Sequence, residues 1–137
     1  MISTLYKATS LLLLLPTLAF GAIGEVTDYS GSGAVERDEG FEVYEVTDGL
    51  GVESMDTVVT EKGKVRIDFI DDTRVDITEH SRLIIDDFVY DPASGEGSLS
   101  LKAGLGTIRY ASGKIAKNSR QRVRIETPSA VVGVRGT

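Results

Sequence analysis

From residue 41 onward, apolar and polar positions alternate over most of the chain. In "KVRIDFI", Val65, Ile67 and Phe69 fall on one face while Lys64, Arg66 and Asp68 fall on the other. "RVDIT" repeats the pattern, with Val75 and Ile77 inward and Arg74 and Asp76 outward. A period of two marks a half-buried strand, because successive side chains of an extended chain point to opposite faces. "FEVYEV" at 41–46, "RLIID", "SLSLKAG", "TIRYASG", "RVRIE" and "AVVGVRG" continue the series in short runs. Turn material separates them: Asp71-Asp72-Thr73, the loop "YDPASGEGS" at 90–98, and the basic stretch "SGKIAKNSRQ" at 112–121, expected as an exposed loop. No window carries an apolar stripe at helical spacing, and no fixed repeat period emerges. The pattern predicts an all-β chain of many short strands, arranged as a β-solenoid-like, sandwich or roll domain.

The N-terminus departs from this pattern. Lys7 precedes an uncharged run containing five consecutive leucines, Leu11 to Leu15, and Ala19-Phe20-Gly21 supplies small residues at a cleavage site. Residues 1–21 therefore read as a secretory signal peptide and 22–137 as one β domain, periplasmic or secreted. The alternative is an uncleaved signal anchor, which would be the chain's only attachment to a membrane. The uncharged stretch from Ala8 to Gly24 lies at the short limit for crossing about 30 Å of hydrocarbon. The chain has no cysteine, so neither a disulfide nor a lipid-modified cysteine is available. With His80 as the single histidine, most zinc, haem and iron–sulfur chemistry is excluded, and no cofactor is expected.

Catalytic patterns are sparse. His80 sits in "EHS" as a polar turn residue, and no serine occupies a G-x-S-x-G elbow. Asp71-Asp72 and Asp86-Asp87 are adjacent pairs, which a strand would send to opposite faces, so they read as turn or edge features. No calcium-loop spacing is present, and "GLGTIR" at 104–109 lacks the lysine of a phosphate loop. Charge is more informative. Residues 22–97 carry a net −14 and residues 98–137 a net +7. The plain reading is that basic strands neutralise acidic ones across the sheet; the sharper one is a basic face for an anionic partner. In "RQRVRI", strand alternation would align Arg120, Arg122 and Arg124 on one face, near Lys114 and Lys117. These five are the candidate partner-binding residues, against a default of a solvated, ion-paired strand face. Aromatic residues are not interleaved with them, which argues against nucleic acid. A glycan site would need an aromatic platform built from Tyr29, Tyr44, Tyr90 and Tyr110.

Several segments, in order, resemble the FecR family, named for an iron-citrate signalling regulator. "GLGVESMDTVVTEKGKVRIDFIDDTRVDI" at 49–77 is similar to the family's core, with Met55-Asp56 where Gly-Asp is usual and Asp72-Thr73 where Gly-Ser is usual. "SRLIID", "LSLKAGLGTIRY" and "IETPSAVVGVRGT" follow. The last is the most specific: Thr127-Pro128, Ala130 and Arg135-Gly136-Thr137 reproduce the T-P-x-A…R-G-T motif, which reads as a structural signature. Family members usually continue past R-G-T, so a truncated C-terminus is expected. With about seven residues before the hydrophobic run, the chain is expected to lack the cytoplasmic anti-sigma portion. The resemblance implies a non-catalytic exported interaction or signalling domain that binds an envelope or extracellular protein. A module for glycans or other anionic ligands is the alternative.

Overall fold

The computed structural model describes residues 21–128 and 130–133. Ten strands make one mixed sheet: β1 (Gly24–Arg37), β2 (Glu42–Glu45), β3 (Gly51–Val52), β4 (Thr57–Phe69), β5 (Arg74–Ile77), β6 (Arg82–Tyr90), β7 (Gly97–Leu105), β8 (Ile108–Ala111), β9 (Val123–Thr127) and β10 (Ala130–Gly133). Between β8 and β9 lie a short helix, α1 (Lys114–Asn118), and a 3₁₀ turn, Arg120–Arg122. The all-β expectation holds, and the alternation explains it. Val65, Ile67, Phe69, Val75 and Ile77 are all buried.

The sheet forks at β4. Along one edge β4 pairs with β1 over its length, from Glu36↔Thr57 to Gly24↔Phe69. Its other edge is shared. Thr57–Val59 pair with β6, and Val65–Asp68 pair with β5. One branch runs on through β5 to β8, the other through β6, β7, β9 and β10. Among the described residues, β7 and β9 form the single parallel pair. The inward faces of both branches share one cluster, including Val26, Ile67, Ile77, Leu83, Ile85, Leu99 and Leu101. Each large aliphatic side chain buried there contributes about 1.5–3 kcal/mol. Phe69 of β4 stacks on Phe88 of β6 at 5.3 Å between ring centroids, tying the far ends of the two strands together. Where β1 and β4 bend, Gly31 opposes Gly63 with both at positive φ, and a Cβ on either would run into the carbonyl of the facing strand.

The two positions where the resemblance would place glycine keep a glycine-like backbone. Met55 has φ 73° and Asp72 φ 69°. Met55 is held there by its own N–H, which donates to the Ile85 carbonyl at 2.7 Å. Next to it, the buried Asp56 carboxylate accepts the Arg37 guanidinium at 2.9 Å through both oxygens and the Glu53 N–H at 2.8 Å. That pairing raises Arg37 further above its ordinary value. His80, also at positive φ, is an exposed turn residue as expected.

Several charges are paired across strands. Arg66 pairs with Asp76, and Arg74 with Asp68, each at 2.7 Å. Arg82 reaches Glu36 at 3.4 Å and Lys102 reaches Asp86 at 3.3 Å. Of these four pairs only Lys102–Asp86 joins the basic part of the sequence to the acidic part; the other three lie within residues 22–97.

Two outcomes follow from this packing. A left-handed conformation costs a non-glycine residue about 1–2 kcal/mol. Met55→Gly should therefore raise unfolding stability by about 1 kcal/mol in urea titrations, since Met55 is exposed. The Arg74 guanidinium, with Thr27, holds Asp68 below the ordinary carboxylate value of 3.8, and Arg66 does the same for Asp76. Depressed folded pKa values give stability that is complete above the unfolded value and lost as pH falls through the folded ones. Denaturation midpoints should thus drop below about pH 4, and the drop should flatten in the Arg66→Gln, Arg74→Gln double variant.

Candidate interaction surface

The segment expected as an exposed basic loop is instead a structured crossover. It carries the chain from the end of the β5–β8 branch to β9, and a parallel partner for β7 requires such a connection. Ile115 and Ala116 provide the anchor, both buried in the core cluster. Asp71 fixes its start. This carboxylate is fully buried and accepts the Thr73 N–H at 3.0 Å, the Thr73 hydroxyl at 2.8 Å and the Ile115 N–H at 3.2 Å. Its backbone carbonyl accepts the Lys114 N–H at 2.7 Å. Gly113 packs so closely that a Cβ there would collide with the Thr73 N–H and the Asp71 carbonyl. A buried acid satisfied by three donors is a structural device here.

With its apolar pair turned in, the crossover turns its cations out. Lys114, Lys117, Arg120 and Arg122 are all exposed. Lys114 meets Asp72 at 3.3 Å, a contact that raises it above its ordinary value. Among the described residues, Lys117, Arg120 and Arg122 form no ion pair. The arginine stripe expected from strand alternation is not built as such. Arg120 and Arg122 belong to the 3₁₀ turn, and the strand begins only at Val123. Arg124 alone lies on the strand, its guanidinium paired with Glu126 at 2.9 Å. The candidate set thus divides into four crossover cations and one neutralised strand residue.

Beside the crossover runs an open groove of about 590 Å³. Arg122, Asn118 and Ser119 line one wall, the β6–β7 turn with Asp91, Ser94 and Glu96 the other, and Val89, Tyr90 and Ile115 are apolar lining. The Asn118 amide clips the walls together by donating to the Gly95 carbonyl at 3.1 Å. The tyrosines do not assemble a platform. Tyr90 lines this groove, Tyr29 lines a separate cleft over β1, β4 and β5, Tyr44 lies under the Arg37 guanidinium, and Tyr110 packs half-buried against the core. Sequence reasoning missed the groove and the burial of Asp71. The one available signal was the apolar pair Ile115-Ala116 inside an otherwise polar stretch.

Of the closing motif, Thr127 ends β9, Pro128 is an exposed turn residue and Ala130 opens β10. Arg135, Gly136 and Thr137 lie outside the described residues, as does the N-terminal hydrophobic run.

Removing the Asp71 carboxylate leaves three buried donors without an acceptor. Asp71→Ala should cost about 3 kcal/mol, and hydrogen exchange should accelerate first at the amides of Lys114 and Ile115.

No curated protein and no solved structure matches the chain significantly. The family model described as FecR protein matches residues 56–137. That match takes in more than half of the sequence and every strand from β4 onward, and the chain belongs to the FecR family.

Proposed function

We propose that this chain is a non-catalytic, exported interaction domain that binds an acidic surface on an envelope or extracellular protein. FecR is a signalling and regulatory family whose members are generally envelope-associated. The observation that carries the reading is the contrast between strands and crossover. On the strands, Arg37, Arg66, Arg74, Arg82, Lys102 and Arg124 are matched by carboxylates and only Lys62, Lys64 and Arg109 are not, whereas Lys117, Arg120 and Arg122 gather within six residues of one anchored segment without ion pairs among the described residues. Unmatched cations on a fixed scaffold attract an anionic partner and set its orientation without ordering the segment at the moment of binding. Two fully buried acids have structural roles, Asp71 at the crossover and Asp56 with Arg37.

A second reading has its own observation. The groove places Tyr90 near Arg122 among hydroxyl and amide groups, which suits an anionic glycan.

The test compares the full chain with a variant carrying Gln at Lys114, Lys117, Arg120 and Arg122 in capture from envelope extracts. The parent should retain a partner that is released as salt rises, and the variant should lose it. Equal retention by both would sink the proposal. Binding of uronate or sulfated oligosaccharides without protein capture would favour the glycan reading.

A further inference from the structure

Charge also stands unpaired outside the crossover. At the β1–β2 tip, Asp38, Glu39, Glu42 and Glu45 are exposed and form no ion pair among the described residues. The strand cations Lys64 and Arg109 differ from these because they share a cavity. A cleft of about 290 Å³ lies over β1, β4, β5 and β8. Asp28 and Ser30 line it from β1, Lys64 and Arg66 from β4, Asp76 from β5 and Arg109 from β8. Its floor includes the backbone of Val65 and Ile77, whose side chains turn the other way into the core.

Local geometry explains why a sheet face is hollow here. β1 shifts register against β4 between Val26 and Asp28, and again between Gly31 and Gly33. Between these two irregularities, Asp28 to Gly31 pairs regularly with Arg66 to Gly63. Bulges bend a strand and raise its twist, so the sheet curves on both sides of the segment that carries the cleft.

The charges in the cleft do not balance. One register row across it reads Asp28, Arg66, Asp76, Arg109. The Arg66 guanidinium donates to both Asp76 oxygens, at 2.7 and 3.2 Å, and Asp28 faces it from β1. Both carboxylates are thus set against Arg66. Arg109 ends the row, and Lys64 stands opposite Ser30 in the next row on that face. Neither cation forms an ion pair among the described residues, and neither Asp28 nor Ser30 makes a side-chain hydrogen bond there. The lining therefore holds three cations against two acids. β4 and β8 flank β5, with neighbouring strands about 4.8 Å apart, so a group seated over the end of β5 lies between Lys64 and Arg109.

We propose that this cleft binds a uronate, a hydroxylated sugar monocarboxylate, with its carboxylate between Lys64 and Arg109 and its ring hydroxyls on Asp28 and Ser30. The class follows from the donor set. A single negative charge balances the lining, which fits a carboxylate rather than a phosphate dianion. A guanidinium fork matches a carboxylate in plane, and an ammonium adds a point charge beside it. An unpartnered carboxylate accepts from sugar hydroxyls, and a serine hydroxyl donates or accepts. The volume lies at the small end of ligand sites and suits a single ring. No lining residue is shared with the groove beside the crossover, so the inference stands apart from the reading proposed above.

The test is a titration of the full chain with galacturonate, followed through its backbone amide resonances. Galacturonate should shift Ser30, Lys64, Thr78 and Arg109 saturably, whereas glucose should not. An equal response to the two sugars, or no saturable shift, would overturn the site. Lys64 and Arg109 are exposed, so Lys64→Gln and Arg109→Gln should leave the melting temperature unchanged, and each should weaken binding about tenfold or more. Unchanged affinity in the double variant would equally refute the proposal. Asp28→Ala separates a sugar site from bare attraction of an anion. Loss of a hydroxyl acceptor should weaken binding, whereas a gain in affinity would overturn the sugar assignment. Trigalacturonate distinguishes the source: binding as tight as the monomer or tighter upholds the site for a glycan chain, and weaker binding upholds it for the free sugar. The Lys64→Gln, Arg109→Gln variant should keep its capture of an envelope partner, so failure here is separable from failure of the crossover proposal.

Discussion

One edge of β4 serves two strands, and the rest of the architecture follows from that sharing. Because β6 takes the first residues and β5 the last, the sheet must divide, and its two branches turn their apolar faces toward each other. The division leaves β8 at the end of one branch and β9 in the other. A chain that must pass between branches and enter parallel to β7 needs a connection with its own structure. The crossover supplies it, held by Ile115, Ala116 and the Asp71 carboxylate. The most cationic segment of the protein is thus also one of its better-anchored surface elements.

Electrostatics sorts the surface into two kinds. On the strands, opposite charges stand across from each other in register, as in Arg66 between Asp28 on β1 and Asp76 on β5. Such exposed pairs contribute little stability individually, but they cancel the local field. On the crossover and on the β1–β2 tip the cancellation is missing, with opposite signs at the two places. Part of the formal imbalance between the halves of the sequence thus gathers at these two sites.

Much of the sheet was legible because a half-buried strand writes its two faces into alternate residues. Val65, Ile67 and Phe69 needed no further information, nor did the strand runs from β4 to β10. What escaped were features whose cause lies far away in sequence. Asp71-Asp72-Thr73 reads as a turn, and it is one, but the burial of Asp71 depends on a crossover more than forty residues later. Arg120 and Arg122 fit a strand rhythm, yet the 3₁₀ turn occupies those positions because the chain must first descend from α1 to β9. Met55 and Asp72 show the reverse case. Neither is glycine, yet both take the left-handed backbone, within turns closed by neighbouring hydrogen bonds.

The ladder between β1 and β4 also bears on modularity. The family match begins at residue 56, immediately before β4, so it excludes β1. Yet β1 supplies eleven residue pairs along β4, and its Val26 and Val35 belong to the shared core. A boundary drawn by sequence similarity here cuts through a hydrogen-bonded ladder. The segment recognised as the family's is smaller than the unit that shares one ladder and one core.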